Sequence, residues 1–128
     1  MIVNVLRLTL REDITDEVRA EVLAALRRTA SVESVSFSSV GEDFADPTGR
    51  TIGYVVGLAD TGALERYLHD PIHLRGDELI LPNLAGASAL RFATEPVADQ
   101  VNQMAAAKAA KYPEWGKRVN ELFGDRPA

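Results

Sequence analysis

The spacing of apolar residues changes period several times along the chain, and each change marks an element. From Ile2 to Leu10 apolar side chains fall on both parities, with Leu6, Leu8 and Leu10 at even positions and Val3 and Val5 at odd ones. Such a segment reads as a central strand covered on two sides. Thr15 is a suitable N-cap, and Asp16 and Glu17 suit the positive end of a helix dipole. Val18, Val22, Ala25, Leu26 and Thr29 then follow at helical spacing, predicting a helix to about Thr29. Val32 to Ser39 alternates, with Val35 and Phe37 opposing Ser34, Ser36 and Ser38, as a strand with one buried face does. Gly41 to Arg50 carries Asp46-Pro47 and Gly49 and reads as a loop. Thr51 to Ala59 is a third strand, its Ile52, Tyr54, Val56 and Leu58 opposing Gly53, Val55 and Gly57. Asp60 or Thr61 caps a second helix through Leu64, Tyr67 and Leu68, which Pro71 stops. Residues 72–86 look irregular, with room for one helical turn, and Ala87 to Thr94 forms a last strand.

The order βαββαβ predicts a ferredoxin-like α+β sandwich, a four-stranded antiparallel sheet with both helices on one face. With Val35, Phe37, Leu90 and Phe92 under the helices, the open face receives Ser34, Ser36, Tyr54 and Arg91. Asn4, Leu6, Leu8, Ile52 and Val56 join them from the central strands. That face is too apolar for open water and too polar for a dry core. A partly wet cavity between two sheets fits it.

Residues 1–95 hold this unit, and residues 96–128 form a C-terminal helical extension. Val97, Val101 and Met104 repeat at helical spacing, Tyr112-Pro113-Glu114 breaks the run, and Trp115, Val119, Leu122 and Phe123 make a second stripe. The extension is expected to dock on its own body or embrace the partner subunit. The alternative is a lid over the cavity mouth, with Trp115 touching ligand. Gly124 to Ala128 is expected to be disordered.

Composition narrows the function. The 128 residues carry a net charge of −5, which disfavours a non-specific nucleic-acid binder, because neutralising phosphates needs a basic face. Having no cysteine, the chain has neither disulfides nor thiolate chemistry. Met1 is followed by Ile-Val-Asn-Val rather than a basic and then apolar leader, so no signal peptide is expected. No apolar stretch approaches the roughly 20 residues of a membrane span. A soluble cytoplasmic protein without membrane contact is the expectation. Walker and dinucleotide glycine patterns do not occur, and no cofactor is expected.

Both histidines lie in Tyr67-Leu68-His69-Asp70-Pro71-Ile72-His73. Imidazole exchanges protons near neutral pH, so His73 is the candidate general base, with Tyr67 six residues upstream as its partner. The other reading is architectural, the motif fixing the turn after the second helix. His69 and His73 have a helical metal-ligand spacing that Pro71 interrupts; His69 reads as a surface residue and no metal site is expected. On the cavity face, Arg91 suits a carboxylate or phosphate, or else an ion pair at the subunit seam. Asn4, Tyr54 and Ser36 share that face and are candidate substrate contacts. Arg75, just beyond His73, reaches either the cavity mouth or solvent. No base is placed to activate Ser34 or Ser36 as a nucleophile.

The stretch from Ala63 to His73, the first strand running into Asp13-Ile14-Thr15, and the element order together resemble the stress-responsive α/β-barrel (Dabb) family over roughly residues 1–95. The resemblance implies a homodimer, a dimeric α/β barrel with two sheets paired face to face across a two-fold axis and a pocket inside each protomer. Most members of that family have no established reaction. A plant polyketide cyclase among them uses the tyrosine and histidine of this motif in a cofactor-free aldol cyclisation, roles that would fall on Tyr67 and His73. A histidine frequent in the family's first strand is replaced here by Asn4, and the extension runs past the family's usual end. The expected function is thus a cofactor-independent cyclase, lyase or isomerase acting on a small, carbonyl-containing anionic metabolite. The alternatives are a non-catalytic stress-related or ligand-binding dimer and a cofactor-free oxygenase.

Overall fold

A computed structural model describes residues 1–124. Strand β1 (Ile2–Leu10) is followed by α1 (Asp16–Thr29), β2 (Val35–Glu42), β3 (Thr51–Leu58), α2 (Thr61–Leu68), α3 (Pro71–Ile80), a 3-10 turn (Leu81–Asn83), β4 (Leu84–Ala93), α4 (Ala98–Lys111) and α5 (Pro113–Phe123). The four strands form one antiparallel sheet in the order β2-β3-β1-β4. This is the ferredoxin-like α+β fold that the element order predicts. The expectation of disorder at 124–128 falls, apart from Gly124, outside the described residues. No helix among the described residues is long and apolar enough to cross a membrane.

Local chemistry sets the helix starts. The Thr15 hydroxyl accepts from the Val18 amide at 3.1 Å, and an Asp60 carboxylate oxygen accepts from Ala63 at 2.8 Å, so Asp60 rather than Thr61 caps α2. The region after Pro71 corrects the sequence expectation. Residues 71–80 are a full helix, because Asp70 accepts from the Ile72 amide at 2.9 Å while Pro71 occupies the first helical turn. Proline tolerates that position because its missing N–H has no partner there in any helix. Pro71 therefore ends one helix and starts the next.

The two faces of the sheet are also the reverse of the expectation. Leu8, Ile52, Tyr54, Val56 and Leu58 are almost wholly buried and belong to the core that includes Val22, Ala25, Leu26, Leu64 and Ile80 of the helices. Phe37, Leu90 and Phe92 are instead 47%, 61% and 47% exposed on the open face. One bulge explains half of the reversal. Val35 pairs with Leu58, but Phe37 pairs with the next residue, Gly57, so Ser36 is an extra residue and Val35 and Phe37 point to opposite faces. On the open side the Phe37 ring lies over Gly57, whose missing side chain makes room for it. Asn4, Leu6, Leu8, Tyr54 and Arg91, expected between two sheets, instead line a cavity between the sheet and the helices.

The extension docks on its own body. Leu122 is buried, and the Arg118 guanidinium donates to the carbonyls of Leu84 at 2.9 Å and Leu81 at 3.2 Å. Leu122→Ala should lower unfolding stability by about 2–3 kcal/mol, the cost of a truncated leucine in a site that relaxes only partly. Urea denaturation followed by circular dichroism would measure it.

Candidate functional site

A cavity of about 390 Å³ lies between the helix-covered face of the sheet and helices α2 to α5. Its polar lining includes Asn4 on β1, Tyr54 on β3, Tyr67 on α2, His73 and Asp77 on α3 and Arg91 on β4, with Thr29, Asn102 and Asn120 also on its wall, set among leucines, isoleucine and valines. Asn4 and Arg91 sit side by side because β1 and β4 pair them, and Asn4 also pairs with Val56. Of the residues expected at the site, Asn4, Tyr54, Tyr67, His73 and Arg91 converge. Ser36 and Arg75 do not: Ser36 is the exposed bulge residue of β2, and Arg75 points outward from α3. His69 lies outside the cavity, its Nε2 3.4 Å from Glu65. Among the described residues no three His, Asp or Glu side chains gather as a metal site.

The geometry around His73 follows from the proline. In a continuous helix the Tyr67 carbonyl would accept from residue 71, four positions on, but Pro71 has no N–H to give. The Asp70 amide donates to that carbonyl at 3.3 Å, and the His73 ring turns back to it as well, its Nδ1 2.8 Å from the oxygen. Because a carbonyl only accepts, Nδ1 must carry the proton. The main chain of Tyr67 rather than its phenol thus orients the imidazole, and the two rings lie 4.3 Å apart between centroids.

The phenols of Tyr54 and Tyr67 meet each other instead, oxygen to oxygen at 2.6 Å. Burial pushes the Tyr54 hydroxyl well above the usual tyrosine range, against the pull of its bond to Tyr67. Burial does the same to Tyr67, reinforced by Tyr54 and Asp77 and opposed by the Arg91 charge. Both therefore stay neutral at physiological pH. One of their two hydroxyl protons is used in the mutual bond, which leaves one to offer a ligand. Arg91 stands at the exposed end of the cavity, its guanidinium 5.3 Å from the Phe123 ring centroid.

Three further residues matter that the sequence reading did not assign to the chemistry, or assigned only in part. Asp77 follows His73 by one helical turn and places Oδ2 3.3 Å from Nε2. The same oxygen accepts from the Trp115 indole N–H at 2.8 Å. Lys108 of α4 is wholly buried, its Nζ 4.3 Å from the Trp115 ring centroid and without a hydrogen-bond partner. Burial disfavours an ionised Asp77, but the facing His73, Lys108 and Trp115 outweigh it and hold the carboxyl below its ordinary range. Burial likewise pushes the Lys108 amine down to about 8, with Asp77 pulling the other way. Asp77 would have been legible had residues 72–80 been recognised as a helix, since it shares a face with His73.

The Lys108 shift has a consequence for stability. Its folded value lies below the unfolded one, so between about pH 8 and pH 10.5 the unfolded chain holds more protons. Stability should therefore rise with pH across that window through this group, and Lys108→Met should be more stable at pH 7 and lose the rise. Thermal melts of both proteins from pH 7 to 10.5 would check this.

The solved structures that resemble the chain share the fold at low sequence identity. A dimeric ferredoxin-like protein of unknown function from Thermobifida fusca is 22% identical at a TM-score of 0.61, covering 73% of this chain and 91% of its own. A hydroxynitrile lyase from Passiflora edulis is 13% identical at a TM-score of 0.61, covering 74% of this chain and 94% of its own. An antibiotic biosynthesis monooxygenase is 15% identical at a TM-score of 0.54, covering 75% of this chain and all (100%) of its own. No curated protein matches the sequence. The stress-responsive A/B barrel domain model matches residues 2–95, so α4 and α5 lie beyond it. With that match spanning most of its length and the ferredoxin-like sheet built as described, the chain belongs to the Dabb, or stress-responsive A/B barrel, family.

Proposed function

We propose that the protein is a cofactor-independent enzyme that moves a proton next to the carbonyl of a small anionic metabolite, with His73 as the base. The observation that carries this is the convergence of one imidazole, two neutral phenols and a guanidinium on a single small, mostly apolar cavity. Pockets of a few hundred Å³ with a handful of convergent polar groups are where small molecules bind. His73 Nε2 takes a proton from the carbon beside the carbonyl, and the electron pair moves onto the carbonyl oxygen. The Tyr54–Tyr67 pair donates its one free proton to that oxygen. Arg91 holds the anionic end, and Asn4, its neighbour across the β1–β4 ladder, supplies a further polar contact. Cyclase, lyase and isomerase outcomes all share this first step. The likeness in fold to a hydroxynitrile lyase is compatible with it.

A ligand carrier without turnover is the competing reading. It is favoured by the engagement of both His73 nitrogens, Nδ1 with a carbonyl and Nε2 with Asp77. Deuterium uptake from heavy water into β-keto and aromatic-polyketide-like acids separates the two. Exchange by the unsubstituted protein, falling 100-fold or more in His73→Ala, is the order expected for a lost general base. Equal exchange rates in the two proteins, or none in either while the acids bind, would remove His73 from the mechanism.

The open face supports a second proposal, that the protein is a homodimer paired through its sheets. Phe37, Leu90 and Phe92 are exposed there, and the structurally similar protein from Thermobifida fusca is described as dimeric. Leu90→Glu should then convert a dimer to a monomer by light scattering at micromolar concentration. A monomeric unsubstituted protein would rule the dimer out.

A further inference from the structure

We propose that Asp77, fixed by Trp115 and Lys108 of the C-terminal helices, is the positioning residue for His73. The proton-transfer site of this chain is then completed by a segment outside the family domain. The inference rests on the reading of His73 as base and adds to it.

Nδ1 of His73 carries a proton because its partner is a carbonyl. Nε2 of His73 stands 3.3 Å from Asp77 Oδ2, close enough for the carboxylate's charge to act on it. A fixed negative charge that close favours the ring once it gains a proton on Nε2. Asp77 thereby raises the readiness of Nε2 to take a proton and stabilises the imidazolium that results.

The carboxylate must not swing away for this to work. Its Oδ2 is held by the Trp115 indole N–H at 2.8 Å, and the Trp115 ring carries the Lys108 ammonium on its face. Lys108 is the unusual member. A buried amine without a hydrogen bond costs stability, and this one is wholly buried on α4. What faces it is the Trp115 ring and the Asp77 charge. It acts as a distant counter-charge, keeping Asp77 ionised while damping its pull on His73. The other charged or titratable groups near this network are Tyr67, Tyr54 and Arg91 around the cavity. Glu78, Lys111, Glu114 and Arg118 lie along the outer groove that Asp77 also lines.

The test is the pH at which the His73 imidazole signals change in NMR spectra of the substrate-free protein, with and without substitution. Asp77→Asn removes the charge and keeps the shape, and should move the transition down by about one pH unit. Lys108→Met removes the opposing charge and should move it up. Opposite signs mark an electrostatic chain, which a merely structural role would not produce. In the exchange assay Asp77→Asn should lower kcat at least tenfold, with partial recovery in Asp77→Glu. An unmoved transition in Asp77→Asn, or the same direction in both variants, overturns the proposal. Should Asp77→Asn fail to fold, Lys108→Met decides alone, and no upward movement overturns it. If the transitions move as expected but no exchange occurs in any form, the positioning holds and His73 as base falls.

Discussion

The site depends on one hydrogen bond that a proline makes available. Tyr67, Pro71 and His73 are spaced so that the proline stands where the helical donor to the Tyr67 carbonyl would be; the Asp70 amide reaches that carbonyl at 3.3 Å, and the histidine adds a shorter donor from its ring at 2.8 Å. The bond does three things together. It closes the junction between α2 and α3, it fixes which imidazole nitrogen holds the proton, and it turns Nε2 toward Asp77. The architectural and chemical accounts of the motif are therefore not rivals. A chain that needs only the turn would keep the tyrosine-proline-histidine spacing just as a catalyst would. What separates the two is the groups that meet the ring, and those lie outside the motif.

The sequence carried the fold well and the site unevenly, for identifiable reasons. Element order and most strand cores were legible because Ile52 to Leu58 and Val18 to Thr29 keep clean periods. The sheet faces were read the wrong way round because alternation counts residues, whereas the bulge at Ser36 inserts one that does not count toward the register. Leu90 and Phe92 then followed Phe37 into the wrong layer, although on the open face they are as exposed as a surface awaiting a partner would be. Arg91, Asn4 and Tyr54 still reached the cavity, since the cavity lies on the helix side, where those positions point. Pro71 hid a helix because it was taken as a stop, though Asp70 before it is an N-cap. With that helix went Asp77.

The extension changes what the family domain can be. Its two helices roof the cavity with Val101, Trp115, Val119 and Phe123, so packing and covering are one role rather than alternatives. The same helices contribute the Trp115 donor and the Lys108 charge. Apolar burial alone would account for Leu122 and Val119 but not for Lys108, which a methionine or leucine would replace at a gain in stability. A buried amine retained at that cost is better explained by the carboxylate it faces than by the packing around it.

This division of labour also separates assembly from chemistry. The open face presents Phe37, Leu90 and Phe92 and has no part in the cavity, while the helix face holds the cavity and presents little apolar surface to a partner. Pairing through the sheets would thus bury aromatic surface without blocking the site. Arg91 stands at the exposed end of the cavity with Phe123 beside it, on the helix side of the sheet and away from the face that pairing would cover.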